Sequence, residues 1–271
     1  MSSRLCAPFG ACAVALGFLT LWHCASQTRL PPTARAQISA RHAGTTVELR
    51  ESCYFGELYD ENELWLLSPY AFADTSHIVD LKGEPIHPQG QRDIITAGSR
   101  FVIDRVEFPD ATALAKRMIT TPRYNPWVYL KPVEGSDVSL SGRRGYVVIL
   151  PAELETEEQV ENALSSIFAP EGNVARWLET RRPTVKVAIA TKNVFEGMSR
   201  EEMIASMGMP LLWFIEQSAE GEKRVAWYGS KEVWLKSDAV LAVKDGRPVA
   251  HKPRDTVASE AMVAPIQGPR S

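Results

Sequence analysis

The spacing of apolar and polar positions changes character several times along the chain. Residues 5–22 run about eighteen positions without a charge after the short cationic start at Met1–Arg4, and Cys24 follows almost at once. A basic start, an apolar centre and an abrupt polar exit predict an export signal over residues 1–23. A retained membrane anchor competes with that reading, because a run of this length reaches the lower limit for crossing a bilayer. The many small residues in the run, with Pro8 and Gly10 weakening a helix near its start, favour a cleaved signal. Residues 24–43 carry Pro31-Pro32 and scattered arginines without an apolar period, which predicts a flexible tether.

From 44 to 132 the period is close to two. Residues 45–50 alternate like a half-buried strand, 64–67 form a short apolar run stopped by Ser68-Pro69, and 77–81 end at Lys82-Gly83. Residues 100–108 make the strongest strand, between Gly98-Ser99 and Pro109. Residues 126–130 give another, with Pro126 at the start, where a missing N–H is tolerated. One short helix, 111–119, interrupts the series, with Asp110 placed to accept the free N–H groups of its first turn. Residues 133–144 are rich in Gly and Ser and read as a linker. The continuous apolar run 146–150 reads as a fully buried strand that completes the first domain or opens the second. The division is drawn at 145.

Beyond it the period lengthens. Thr156 and Gln159 have capping-box spacing, with Val160, Leu164, Ile167 and Phe168 on one face of the helix that follows and Pro170 stopping it. Residues 174–180 give a short helix anchored by Trp177-Leu178, and 185–194 are apolar without deciding between helix and strand. Ser199 and Glu202 form a second capping box, and Met203, Ile204 and Met207 form an apolar stripe. Gly208 closes that helix and Pro210 prevents it from resuming. Strand-like runs follow at 211–216, 225–228 and 233–243, the last divisible near Ser237-Asp238. Asp245-Gly246 is a turn signal, and 251–271, with three prolines, reads as a disordered tail.

Two resemblances organise these elements. Gly197-Met198-Ser199, Gly208-Met209-Pro210, Trp227-Tyr228 and Asp245-Gly246 resemble the motifs of the SmpA/OmlA (BamE-like) outer-membrane lipoproteins over residues 185–250. That resemblance implies a pair of helices against an antiparallel sheet in a domain spanning 145–250, a non-enzymatic role, and protein partners. Gly197, Met198, Ser199, Gly208, Pro210, Trp227 and Tyr228 are then the family-motif positions. Residues 44–132, through the Gly98-Ser99 turn into Phe101 and Ile103, are similar to bacterial SH3-like barrels. The fold class expected is α+β: a β-rich SH3-like barrel followed by a BamE-like domain. Leu21-Trp22-His23-Cys24 is similar to a lipobox, which makes Cys24 a lipidation site. Plain secretion, with cleavage after Ala25 or Ala36, competes with it.

Composition adds exclusions. The net charge of −3 and 23% charged residues show no basic excess for nucleic acid. Removal of the signal and lipidation of Cys24 would leave Cys53 as the last of four cysteines, so no internal disulfide is expected. Cys53 beside Tyr54 and Phe55 reads as a small packed hydrophobe, and as a nucleophile only if a base such as His77 or His87 stands near it. The histidines show no metal-ligand spacing, and no cofactor is expected. Glu57, Asp60, Glu61 and Glu63 form an acidic cluster, a solvated hairpin tip or a contact for a basic protein partner. Trp227 and Tyr228, with Trp213, Phe214 and Trp234, read as core against the Met-rich helix, or as a protein-binding hot spot where they gather on one exposed face. The expectation is a non-enzymatic envelope lipoprotein, held to the membrane by its lipid and facing the periplasm from the outer membrane, that binds other envelope proteins. A peptidoglycan-binding SH3-like module is the alternative, and a secreted chain the alternative address.

Overall fold

The computed structural model describes residues 29–247, apart from 60, 81–83, 118–119 and 219–220. The export signal, Cys24, Asp60 and the tail at 251–271 lie outside the described residues. The fold is α+β, built on two sheets.

Eight strands make the first sheet: β1 (Thr46–Leu49), β2 (Cys53–Leu58), β3 (Glu61–Ser68), β4 (Gln91–Ile95), β5 (Arg100–Glu107), β6 (Trp127–Pro132), β7 (Gly145–Ile149) and β8 (Phe168–Pro170). Their order is β4-β2-β3-β7-β6-β5-β1-β8, and only the β3–β7 pair is parallel. Every residue of β7 is buried, as an uninterrupted apolar run requires when strands flank it on both sides. On one face Trp65, Phe101 and Tyr146 pack in a core closed by α1 (Pro32–His42) and α3 (Glu157–Ile167). The Phe101 and Tyr146 rings meet edge to face with centroids 5.6 Å apart. On the other face Leu58, Leu66, Trp127, Val147 and Ile149 bury Phe72 and Ile78 of the β3–β4 connection.

The short helix α2 (Ala111–Lys116) starts at Asp110, whose Oδ1 accepts the Ala113 N–H at 2.8 Å. The two capping boxes form as the spacing predicts, at Thr156 for α3 and at Ser199 for α6 (Arg200–Met207). Between those helices lie α4 (Asn173–Glu179) and α5 (Pro183–Ala190), which decides the ambiguous 185–194 segment as helix in its first part. The second sheet is an antiparallel meander of β9 (Leu212–Ser218), β10 (Gly221–Trp227), β11 (Lys231–Lys236) and β12 (Ala239–Asp245). The break expected near Ser237-Asp238 is the turn between β11 and β12. Helices α5 and α6 pack on one face of this sheet through Val185, Ile189, Met203 and Met207.

Three expectations change. Gly145–Ile149 and Phe168–Pro170 belong to the first sheet, so a boundary drawn at 133–144 cuts through it, and eight strands stand where a small SH3-like barrel was expected. The segment 133–144 is pinned as well: Leu140 O accepts the Trp65 indole N–H at 2.8 Å and Ser139 O accepts the Tyr146 hydroxyl at 2.5 Å. Within the supposed tether, Pro32–His42 form a helix. Pro32 opens α1, where its missing N–H costs nothing, Ile38 is fully buried, and Arg41 bonds Glu157 and Glu161 at 2.6 and 2.5 Å.

If α1 is part of the fold, Ile38→Ala should lower unfolding stability by about 2–4 kcal/mol, the cost of a large-to-small change in a closed core. Urea titration followed by far-ultraviolet circular dichroism measures it. An unchanged midpoint would return residues 32–42 to the role of a tether.

Candidate functional site

Two places gather the polar and aromatic chemistry of the chain: the seam between the sheets and the outer face of the second sheet.

The seam begins where β1 turns into β2 at Arg50-Glu51-Ser52, a turn that meets the ends of α5 and α6. Ser52 N–H donates to Ala205 O at 2.9 Å, and its hydroxyl donates to Ile189 O at 2.6 Å while accepting the Ala97 N–H at 3.0 Å. Lys192, just past α5, has φ +50°, the left-handed conformation that usually selects glycine and that costs other residues about 1–2 kcal/mol. Its side chain accounts for a lysine there. The buried Nζ donates to Ser52 O at 2.5 Å and to Ser206 O at 2.9 Å, and lies 5.0 Å from the centre of the Tyr54 ring. One ammonium thus joins a carbonyl of the first sheet to a carbonyl of the last turn of α6.

Glu51 is buried beside it, at 3% exposure. The Met209 N–H donates to its carboxylate, while Oε2 accepts no hydrogen bond among the described residues. Gly208, at φ +86°, closes α6 as expected, and a Cβ there would stand 2.9 Å from Glu51 Oε2. Tyr228 donates its hydroxyl to Gly208 O at 2.8 Å from within the same seam. Burial pushes the Glu51 carboxyl up to about 7, against the pull of Lys192, the Met209 N–H and Arg50. Burial lowers Lys192 in turn. Cys53, fully buried, has its thiol pushed far up by the same desolvation and by Glu51, so it stays protonated and inert as a nucleophile. His77 bonds Ile149 O at 3.1 Å instead.

The aromatics of the second sheet divide by strand alternation. Trp213 and Tyr228 point into the core beneath α5 and α6. Phe214, Trp227 and Trp234 stand on the opposite face, with fully buried Val225 between Phe214 and Trp234 in register. Arg247 lies across this face. Its guanidinium bonds Glu232 at 2.5 Å and Glu216 at 2.7 Å, stands 5.4 Å over Phe214, and its carbonyl accepts the Trp227 indole N–H at 3.0 Å. Lys244 Nζ sits 3.7 Å over Trp234. The Arg247 contacts, with the Trp234 N–H, hold the Glu232 carboxyl down at about 2.

The other named residues fall elsewhere. Glu57, Glu61 and Glu63 lie on β2 and β3, interleaved with arginines: Arg92 pairs with Glu57 at 3.5 Å, Arg144 pairs with Glu63, and Arg92 and Arg143 stack over Trp65 at 4.6 and 4.3 Å. Glu57 and Glu63 are thus paired with arginines, while the Glu61 carboxylate accepts the Glu63 N–H at 2.7 Å. Trp227 and Tyr228, neighbours in sequence, face opposite sides of the sheet. Gly197, Met198, Ser199 and Pro210 frame α6, with Met198 and Pro210 buried. Sequence reasoning missed Glu51, Ser52, Lys192 and Arg247. Lys192 shares the apolar 185–194 run with Lys186, which is exposed, so the run itself does not single it out. Among the described residues no group of three or more acidic, histidine or cysteine side chains could hold a metal, and no helix is long and apolar enough to cross a membrane. Compared with family models, characterised proteins and solved structures, the chain matches none.

Glu51 ties stability to pH. Its folded value of about 7 lies above the ordinary 4.5, so between those values the folded chain holds a proton that the unfolded chain releases. That contribution is complete below pH 4.5 and is lost as pH rises through 7, an effect on the order of 3 kcal/mol. Glu51→Gln, which keeps the shape without the charge, should flatten the decline in urea midpoint between pH 5 and 8 that the unaltered chain shows. A parallel decline in both proteins would remove Glu51 as its source.

Proposed function

We propose that this chain is an exported, non-enzymatic binding protein of the bacterial envelope, anchored by lipid at Cys24, whose outer sheet face of Phe214, Trp227, Trp234 and Arg247 engages another envelope protein. The observation that carries the reading is the arrangement of Arg247. A guanidinium lies over Phe214 and is held by two carboxylates, so the aromatic-arginine surface is set in place before any partner arrives. Tryptophan and arginine on a rigid support are the residue types that dominate protein interfaces, since little side-chain freedom is lost on binding.

The seam supports the same reading. Glu51, Ser52 and Lys192 hold the two sheets together, which makes the outer face a feature of one body. The pair of helices α5 and α6 against an antiparallel sheet, with the Gly197-Met198-Ser199 and Gly208-Met209-Pro210 motifs bounding α6, supports kinship with the SmpA/OmlA group.

The test places a photo-crosslinking amino acid at Trp227 or, as control, at exposed Glu158 on α3, and irradiates intact cells. A discrete adduct from position 227 and none from 158 is the outcome this reading requires. Equal adducts from both, or none from 227, would sink it. Mass spectrometry of the purified mature N-terminus checks the anchor: diacylglycerol on Cys24 is expected, and an unmodified start at Ser26 or Gln37 would remove it.

A further inference from the structure

A sheet edge carries a row of unpaired N–H and C=O groups, and folded proteins blunt such edges with short strands, charges, prolines or bulges. Four edge strands stand among the described residues, and three are blunted. β8 has three residues and ends in Pro170. β4 exposes Gln91, Arg92 and Asp93, and its ladder to β2 is bulged. β12 is bulged against β11, exposes Lys244, and has its outer edge taken by the 197–200 segment: Val240 N–H donates to Met198 O at 2.8 Å and Gly197 N–H to Val240 O at 2.9 Å.

β9 has only one of these devices, the charge of Glu216, and that carboxylate is bound by Arg247 at 2.7 Å. Its seven residues keep one-to-one register with β10 from Leu212 to Ser218, without a bulge, a proline or a lysine. Its only strand partner among the described residues is β10, and every second residue turns its backbone groups toward the free side. Ile215, at the centre, is 65% exposed, the highest among the large hydrophobic side chains of the described residues.

We propose that the free edge of β9 joins a second copy of this chain, strand to antiparallel strand, about a two-fold axis through Ile215. The sequence of β9 is self-complementary in that register. Ile215 meets Ile215, Trp213 meets Gln217, and Phe214 meets Glu216, so no like charges stand opposite one another. Each Glu216 comes beside the second copy's Phe214, over which that copy's Arg247 already stands, giving the carboxylate a second guanidinium. The two four-stranded sheets then form one continuous sheet of eight strands with a doubled aromatic face. The proposal rests on the β9 edge alone, so its failure leaves the binding role of that face untouched.

A contact between two single seven-residue edges is expected to be weak, with a dissociation constant on the order of 10–100 µM. Sedimentation velocity on the full-length chain should show dimer growing across that range. Ile215→Lys sets two cations on the axis and should weaken association about tenfold or more, with circular dichroism and melting midpoint unchanged, while Ile215→Val keeps the dimer. Hydrogen exchange should show β9 amides slowing as concentration rises. A monomer at the highest concentration, a dimer that survives Ile215→Lys, or β9 amides equally protected at every concentration would overturn the proposal; the last would assign the edge to a segment of the same chain.

Discussion

The buried ammonium of Lys192 is the contact on which the rest of this structure depends. It reaches one carbonyl from the turn between β1 and β2 and one from the end of α6, which places the two sheets in a fixed relation. A charge removed from water costs several kcal/mol unless it is fully hydrogen-bonded, so Lys192 is tolerable only while both carbonyls stay in place. The unfavourable left-handed backbone at Lys192 has the same dependence. Glu51, the Ser52 hydroxyl and the close approach of Gly208 are arranged around that one group, and each loses its partners if the seam opens.

The outer face of the second sheet follows the opposite logic. Arg247 holds both Glu216 and Glu232, and Phe214 and Trp234 lie beneath cations. Glu232 is a buried carboxylate kept ionised by Arg247. A surface of this kind stays ordered without a partner, because the arginine that would meet a ligand is already held. Seam and face together describe a chain whose polar chemistry is used for position: inside, to fix one body, and outside, to fix a surface.

How much of this could be read from the sequence depended on how local the determining contact was. The helix caps at Asp110, Thr156 and Ser199, the closing Gly208 and the break at Ser237-Asp238 are set within four residues, and all were legible. The β7 strand was legible as a strand but not as a member of the first sheet, because its partners β3 and β6 are set by pairing across the chain. The α1 helix was missed because its evidence is tertiary. Ile38 is its single fully buried side chain, and Arg41 finds its carboxylates about 120 residues away. Buried charge was the least legible of all. Nothing local separates Lys192 or Glu51 from a solvated residue, and only the packing of α5 and α6 against the β1–β2 turn takes them out of water.

The claim that the seam makes one body is tested most directly by scanning calorimetry of the full-length chain. A single transition is predicted, with calorimetric and van't Hoff enthalpies equal, and Lys192→Met should divide it in two or broaden it until the enthalpies part. Two separable transitions in the unaltered chain would contradict the account, for the sheets would then be neighbours and the lysine between them incidental.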